Sequence, residues 1–327
     1  HGFKAEEAVR KALVERHKRG EFALATKMPM RELKAEGVQE RIFDEQLANL
    51  GVDHFDFYLL HNIGSATYAN AERYGTFDFL AGKRVEGRID HLGMSFHSTP
   101  ELLEEILAKH GRKLDFVQLQ LNYIDWENPA IQSRACYEVA RKYGLPIVVM
   151  EPCKGGTLAQ VPEAAEGLMR AVHPDMSPAS WAIRFAASLP GVFKVLSGMN
   201  TAEMLEDNMS YMADFKPLDE EEMKVIAQVV DIINADTAIA CTGCRYCEKE
   251  CPKNIDIPDY FALFNSAKRN TNFSSQFVYY LNLSANRGAA TDCAKCGKCE
   301  EACPQHLPIR DYLEDVATLF NVPMPAK

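Results

Sequence analysis

Short hydrophobic runs alternate with segments of helical periodicity along the first two thirds of the chain. The runs are rich in β-branched and aromatic residues, as strands are, and the segments between them repeat apolar residues every three or four positions. The predicted strands are residues 22–26, 55–60, 89–95, 116–121, 147–150 and 193–197. Strands that alternate with helices in this way are typical of parallel sheets built from repeated βα units.

Capping residues set the limits of some of the predicted helices. The apolar face of segment 38–50 stops at Gly51, a residue that readily ends a helix in the left-handed conformation. Ser177 followed by Pro178 is a typical helix start, because the serine side chain caps the first turn and proline fits its first position. These signals support helices between the strands.

Two folds have parallel strands joined by helices. A doubly wound dinucleotide-binding sheet would carry G-x-G-x-x-G after a strand, and the sequence lacks this motif. A (β/α)8 barrel needs eight strands, whereas the chain opens in an amphipathic segment at residues 5–13 with no strand before it. At about 30 residues per βα unit, roughly 50 residues would be missing. We therefore predict an α/β fold of the (β/α)8 barrel type whose first two strands precede His1.

Eight of the ten cysteines form two copies of the spacing Cys-x2-Cys-x2-Cys-x3-Cys-Pro. In bacterial ferredoxins, the first three cysteines of this run ligate one [4Fe-4S] cluster and the fourth ligates the other. We therefore predict two [4Fe-4S] clusters with crossed ligands. The predicted ligands of cluster one are Cys241, Cys244, Cys247 and Cys303, and those of cluster two are Cys293, Cys296, Cys299 and Cys251.

Zinc and disulfides are the other uses of so many thiols. Zinc modules usually separate two cysteine pairs by a dozen or more residues, which is not the spacing found here. Disulfides are disfavoured because nothing at the N-terminus resembles a signal peptide. Cys136 and Cys153 lie outside the repeated motif, and we expect them to pack as small apolar side chains.

The chain divides into three predicted parts, which are a barrel at 1–215, a linker helix at 216–236 and a two-cluster domain at 237–327. Asp219 and the three glutamates after it are typical of a helix start. Between the cysteine motifs, residues 258–269 and 274–286 have the periodicity of amphipathic helices. The third part is therefore predicted to be a small α-helical, ferredoxin-like domain.

Composition narrows the classes of partner. The chain has 327 residues, 47% of them hydrophobic, so it can bury a large core. It has no apolar run of 18 residues, which argues against a membrane span. Its net charge is −10, nearly all of it before Asp236, and no basic cluster indicates a nucleic-acid partner. We expect a cytoplasmic protein that acts on small molecules.

Six short motifs occur in the order and spacing of the aldo-keto reductase barrel. They are Ala-Leu-Ala-Thr-Lys at 23–27, Asp-Phe-Tyr-Leu-Leu-His at 56–61, Gly-Met-Ser at 93–95, Gln-Leu-Gln-Leu-Asn-Tyr at 118–123, Met-Glu-Pro-Cys-Lys-Gly-Gly at 150–156 and Leu-Ser-Gly-Met-Asn at 196–200. With the cysteine motifs, the chain resembles the aldo-keto reductases that have an iron–sulfur tail. The resemblance covers essentially the whole chain and implies hydride transfer between a nicotinamide cofactor and a carbonyl or alcohol.

The resemblance implies a catalytic Tyr, Lys, His and Asp at the C-terminal ends of barrel strands. Lys27 and His61 match two of them, while the Tyr and Asp would precede His1. A tyrosine with its usual pKa near 10 exchanges its proton poorly at pH 7 unless a nearby cation lowers that pKa. Lys27 would be this cation, and His61 would donate a hydrogen bond to the carbonyl oxygen.

The resemblance also implies a bound NADP or NAD. Ser95, Gln118 and Asn208 match contacts to the nicotinamide carboxamide or the adenine, and the loop with Gly155 and Gly156 lies near the pyrophosphate. Ser197 and Gly198 are expected to end the last strand, before a helix capped by Thr201 whose backbone N–H groups could receive phosphate. Met150 occupies the place of an aromatic residue that stacks on nicotinamide, or is simply a buried residue at a strand end.

Three residues depart from the family pattern. Phe96 replaces an Asn that helps to hold the carboxamide, and Gly198 and Met204 replace the Lys and Arg that bind the 2′-phosphate in many members. The choice between NADP and NAD is therefore open.

Two functions from different classes fit the sequence. The first is a nicotinamide-dependent oxidoreductase whose clusters exchange single electrons with a partner such as ferredoxin or flavodoxin. The second is a non-catalytic iron–sulfur protein for electron transfer or redox sensing, with the barrel as a scaffold. Hydride carries two electrons together, each cluster takes one, and no flavin motif is evident to split them, so structural or sensory clusters are a further alternative.

Overall fold

The computed structural model describes residues 4–235, 237–269 and 274–320. These residues form two compact units. Unit 1 contains residues 4–118 and 139–146, and unit 2 contains residues 119–138 and 147–320.

Six strands are present in the described residues. They are β1 (Ala25–Pro29), β2 (Phe55–Ile63), β3 (Ile89–Phe96), β4 (Phe116–Gln120), β5 (Ile147–Met150) and β6 (Val192–Val195). In unit 1, β1 to β4 are parallel neighbours in chain order, and in unit 2, β5 and β6 are parallel neighbours. Within unit 2, the Leu121 N–H donates to the Met150 carbonyl at 3.3 Å.

Helices follow the strands and build the rest of unit 2. They are α1 (Lys4–Val9), α2 (Val38–Leu50), α3 (Tyr68–Arg73), α4 (Thr76–Val85), α5 (Pro100–His110), α6 (Ser133–Lys142), α7 (Glu163–Val172), α8 (Pro178–Ser188), α9 (Ala202–Met212), α10 (Glu220–Ala235), α11 (Tyr246–Lys249), α12 (Ile257–Lys268), α13 (Ser274–Ser284), α14 (Lys298–Glu301) and α15 (Ile309–Phe320). Within the described part of the chain, none of these helices combines the length and apolarity needed to cross a bilayer.

The predicted helix limits are confirmed where caps were identified. Gly51 ends α2 with φ +70°, in the left-handed region that favours glycine. The Ser177 side chain accepts the Ser180 N–H at 3.2 Å and begins α8. Asp219 and Glu222 exchange backbone-to-side-chain hydrogen bonds of 2.9 Å at the start of α10, which forms a capping box.

The first predicted strand was wrong by three residues, because β1 begins at Ala25 instead of Phe22 and continues to Pro29. The Leu24 N–H is taken by the Asp56 side chain at 2.7 Å, so regular pairing starts after it. Lys27 is therefore inside β1, not at its end, and His61 is inside β2, where it pairs with Pro29. The last strand, β6, ends at Val195, so Ser197 and Gly198 follow the strand instead of ending it.

The linker helix α10 is docked within unit 2. Its residues Ile226, Val229 and Ile233 are buried in one cluster with side chains of α7 and α8, including Trp181 and Phe185. The apolar face of α10 is therefore covered by α7 and α8. A second cluster joins α12, α13 and α15, and forms the core of the cysteine-containing module.

Candidate active site and cysteine clusters

Four predicted site residues lie on consecutive strands of unit 1. Lys27 is on β1, His61 on β2, Ser95 on β3 and Gln118 on β4. The Lys27 Nζ donates a hydrogen bond to the Gln118 Oε1 at 3.1 Å. The Ser95 hydroxyl is buried and accepts the Asn62 N–H at 2.8 Å, next to His61. The parallel register thus brings these polar side chains to one region of the sheet.

Burial changes the pKa of Lys27. Lys27 is half-buried, and the loss of hydration lowers its pKa from 10.5 to about 8. Its ammonium form therefore still predominates at pH 7. A desolvated cation of this kind acts on a neighbouring phenol or oxyanion more strongly than a solvated one.

The two histidines near this lysine are held neutral. Desolvation, followed by the charge of Lys27, lowers the pKa of His61 to about 4, although the residue as a whole is exposed. Desolvation also lowers the pKa of His97 to about 3, with smaller effects of His61 and Lys27. A neutral imidazole can donate a hydrogen bond without carrying a charge into the site.

Sequence reasoning missed His97 and Arg31. Arg31 lies in the turn after β1, and burial lowers its pKa. The charges of Lys27 and Arg31 both disfavour protonation of His61 and His97, which places two cations near two neutral rings. Such a site suits an anionic ligand or a developing oxyanion. Neither residue belongs to a recognisable motif, and only the folded register brings them near Lys27.

The loop at residues 151–156, here called the glycine loop, has an unusual backbone in unit 2. Glu151, Lys154, Gly155 and Gly156 all have positive φ, between 48° and 99°. Gly155 and Gly156 are exposed, and the Gly156 N–H donates to the Cys153 carbonyl at 3.0 Å. Met150, the last residue of β5, is half-buried immediately before this loop.

The residues after β6 form a second backbone feature of unit 2. The Thr201 hydroxyl accepts the Met204 N–H at 3.2 Å and caps α9, as predicted. Ser197 is half-buried and Gly198 is exposed. Asn208 turns back onto its own helix, where its Nδ2 donates to the Met204 carbonyl at 2.9 Å. Met204 itself is 48% exposed.

Two small cavities in unit 2 are each lined by four of the cysteines. Cys241, Cys244, Cys247 and Cys303 line the first, and Cys251, Cys293, Cys296 and Cys299 line the second. Ile257 lines both cavities. The fourth cysteine of each motif therefore faces the cavity of the other motif, which is the arrangement expected of crossed ligands.

The thiols fit a metal cluster better than free cysteines. Burial raises the pKa of Cys247 to about 12 and that of Cys299 to about 11, and neighbouring cysteines add to both shifts. Thiolates this crowded would repel one another unless cations held them. Apolar side chains, Phe261, Leu307 and Leu313 among them, form much of the remaining walls, together with the basic residues Lys253, Arg245 and Arg310.

Cys136 and Cys153 lie apart from these cavities. Cys136 is buried, and Cys153 packs beside the apolar cluster of α7, α8 and α10. Burial raises the pKa of Cys153 to about 12, so its thiol stays protonated at neutral pH. Both residues behave as small apolar side chains, as predicted.

A larger cavity of about 600 Å³ borders the first cysteine loop. Trp126, Phe185 and Val230 contribute apolar walls, and Cys241 and Gly243 lie at its edge. This size is in the range of small-molecule sites, about 300–1,000 Å³.

The comparisons with known proteins agree with these features. The profile of the aldo/keto reductase family matches residues 2–231, and that of the 4Fe-4S dicluster domain matches residues 240–307. The chain therefore belongs to the aldo-keto reductase family and carries an iron–sulfur domain after it. This confirms the predicted family and fold class, and it makes the protein an oxidoreductase by family.

Solved aldo-keto reductases share the fold. The holo form of aldo-keto reductase AKR11C1 from Bacillus halodurans is 21% identical, with 68% of this chain and 76% of that chain covered and a TM-score of 0.52. An aldo/keto reductase from Klebsiella pneumoniae in complex with NADP and acetate is 19% identical, with 70% and 76% covered and a TM-score of 0.53. The thermostable aldo-keto reductase Tm1743 in complex with epalrestat is 21% identical, with 68% and 77% covered and a TM-score of 0.54.

No curated protein matches the chain.

Proposed function

We propose that the protein transfers hydride between a nicotinamide dinucleotide and a small carbonyl or alcohol, and that two [4Fe-4S] clusters exchange single electrons with a partner. The observation that carries the proposal is the grouping of Lys27, His61, Ser95 and Gln118 on consecutive strands, with Lys27 bonded to Gln118. The chain combines a barrel of a nicotinamide-dependent family with an iron–sulfur domain, and this combination supports a function that uses both hydride and single-electron transfer.

Each residue of unit 1 has a defined task in this proposal. Lys27, desolvated and charged at pH 7, lowers the pKa of the family's catalytic tyrosine so that the phenol can exchange its proton. His61 donates a hydrogen bond as a neutral imidazole to the substrate oxygen and fixes its approach. Ser95 and Gln118 hold the carboxamide of the cofactor. The bound nicotinamide would supply or accept the hydride.

The family resemblance assigns further cofactor contacts to residues within unit 2. The exposed backbone at Gly155 and Gly156 lets a pyrophosphate approach closely, because neither residue has a side chain in the way. The Ser197 and Gly198 turn and the capped start of α9 receive a second phosphate or the ribose. Asn208 contacts the adenine, and Met150 packs beside the nicotinamide. With Gly198 and Met204 in place of basic residues, we expect little discrimination between NADP and NAD.

The cluster ligands are proposed in the crossed arrangement that the two cavities support. Cys241, Cys244, Cys247 and Cys303 would hold cluster one, and Cys251, Cys293, Cys296 and Cys299 would hold cluster two. Cys244 and Cys296 are exposed, so each cluster has one edge near the surface from which electrons can pass to ferredoxin or flavodoxin. The number of electrons balances. One hydride carries two electrons, the two clusters accept one electron each, and one proton is released.

The test uses the cluster-loaded protein prepared without oxygen. Binding of NADPH and NADH is measured by quenching of protein fluorescence, and turnover is assayed with a panel of small aldehydes and ketones. The proposal requires cofactor binding and carbonyl reduction that both depend on Lys27. A complete protein that binds neither nucleotide would instead support the non-catalytic iron–sulfur function.

A further inference from the structure

The glycine loop is held in a disfavoured backbone conformation. Glu151 and Lys154 have φ of 57° and 48°, in the left-handed region that residues other than glycine rarely adopt. Such a conformation persists only where the surrounding structure enforces it. The contacts that enforce it therefore decide the shape of the loop.

Two of these contacts come from one short segment, residues 122–131, here called the bridge segment. The Asn122 side chain donates to the Glu151 carbonyl at 3.1 Å, at the start of the loop. The Lys154 ammonium donates to the Asp125 carboxylate in the middle of it. The two charged side chains are 1% and 0% exposed, so they form a fully buried ion pair.

Asp125 is satisfied by further donors. Its Oδ2 accepts the Gln120 Nε2 at 2.7 Å and the Asn122 Nδ2 at 2.8 Å. A buried carboxylate with this many donors around it is held fixed in place. Lys154 is committed to that carboxylate inside the protein, so it acts on a ligand through the shape of its loop.

The far end of the bridge segment belongs to the core of the iron–sulfur module. Ala130 and Ile131 are buried in one apolar cluster with Tyr260, Phe264 and other residues of that module. The Asn128 side chain accepts the N–H groups of Ala130 and Ile131 at 2.9 and 3.3 Å, which stiffens the segment between its two ends.

The ion pair also lies within electrostatic reach of the same module. Tyr279 of α13 is buried, and desolvation raises its pKa, with smaller effects of Cys136 and Asp125.

We propose that Lys154 and Asp125 are positioning residues that shape the glycine loop for the nucleotide, and that the bridge segment couples nucleotide binding to the iron–sulfur module. The inference rests on the proposed function, because it takes the glycine loop as part of the nucleotide site. Coupling of this kind is reciprocal, so the nucleotide must also alter the module.

The first test removes the ion pair as a unit. The double variant Asp125→Asn and Lys154→Met leaves no buried charge uncompensated and keeps an amide that bonds to Asn122. We expect the cluster-loaded protein to bind NADPH about tenfold more weakly, with unchanged iron content. The matched control is Arg184→Met with Glu222→Gln, which removes a second buried ion pair at the start of α10 and should leave the affinity unchanged.

The second test starts from the module. Ile131→Ala opens a cavity at the bridge segment, and Leu263→Ala opens one elsewhere in the same core. In cluster-loaded protein, Ile131→Ala should weaken NADPH binding several-fold and Leu263→Ala should not. Should either alanine variant lose its iron, Ile131→Val and Leu263→Val give the same comparison with a smaller change.

Measuring the midpoint potential of the clusters distinguishes coupling between the nucleotide and the module from a general loss of packing. Binding of NADP⁺ should shift the midpoint potential of the clusters in the wild type and in the Arg184 and Glu222 control, and should not shift it in the Asp125 and Lys154 variant. A wild type that binds no nucleotide overturns the proposed function. A wild type that binds it, with variants that bind equally well or show the same potential shift, overturns this inference alone.

Discussion

The Lys27 ammonium reaches across β2 and β3 to donate a hydrogen bond of 3.1 Å to the Gln118 side chain on β4. The sequence assigned these residues to different tasks, one to proton transfer and one to the nicotinamide carboxamide. Their contact means that the orientation of the lysine depends on the group that would hold the cofactor. Cofactor binding and activation of the catalytic tyrosine are therefore expected to be linked.

Lys27→Met should lower carbonyl reduction by the complete protein by about 10²- to 10⁴-fold, because the tyrosine would return to its usual pKa. Folding should be unaffected, since the methionine fills a similar half-buried space. Lys34→Met, at an exposed position of the same unit, is the control and should retain wild-type activity. Steady-state rates and far-UV circular dichroism of both variants check this, and equal rates would show that the site works differently.

The pH profile should report the desolvated lysine. Because the pKa of Lys27 is about 8, its charge is present below that pH and is lost as the pH rises through it. We expect kcat/KM to fall above about pH 8. Lys27→Arg keeps its charge at all of these pH values, so the fall should move upward in that variant, whatever its absolute rate. A profile that stays flat to pH 10 in the wild type would contradict the assigned pKa.

Acid should destabilise the protein through its neutral histidines. His61 and His97 have pKa values of about 4 and 3 in the folded protein, whereas an unfolded histidine titrates near 6.5. The unfolded chain therefore binds more protons between these values, and stability is lost as the pH falls below about 6.5. His97→Asn should reduce the drop in Tm between pH 7 and pH 4.5. His17→Asn, at an exposed histidine, should leave that drop unchanged.

The sequence predicted the presence of the strands better than it predicted where each strand begins and ends. Hydrophobic runs located all six strands, but the side chain of Asp56 displaced the start of β1, and this contact is visible only in the fold. Spacing alone proposed crossed cysteine ligands, because ligation by the ferredoxin run follows a fixed geometry.

The charged and titratable residues around the site could not be predicted from the sequence. Arg31 and His97 follow the ends of strands without any motif, and the Lys154 and Asp125 ion pair joins residues 29 positions apart. Such contacts depend on which loops the strand order brings together. Apolar periodicity carries no information about them.

Cys251→Ala should disrupt cluster two and spare cluster one. Anaerobically purified wild type is expected to hold roughly eight iron and eight sulfide per chain, and the variant roughly half of each. Cys136→Ala, outside both cavities, is the control and should keep all of its iron. EPR of the reduced proteins identifies which cluster remains. Loss of the signal that Cys244→Ala also removes would refute the crossed assignment, and zinc in place of iron would refute the clusters.

The most direct test of the account is anaerobic addition of NADPH, and separately NADH, to the oxidised complete protein while the cluster absorbance and EPR signals are followed. The account predicts bleaching of the absorbance and a reduced-cluster signal, either in the protein alone or with ferredoxin or flavodoxin present. The opposite result would be no bleaching under any of these conditions, together with full carbonyl reductase activity after residues 237–327 are removed. That result would contradict electron transfer through the clusters and leave only the hydride chemistry of the barrel.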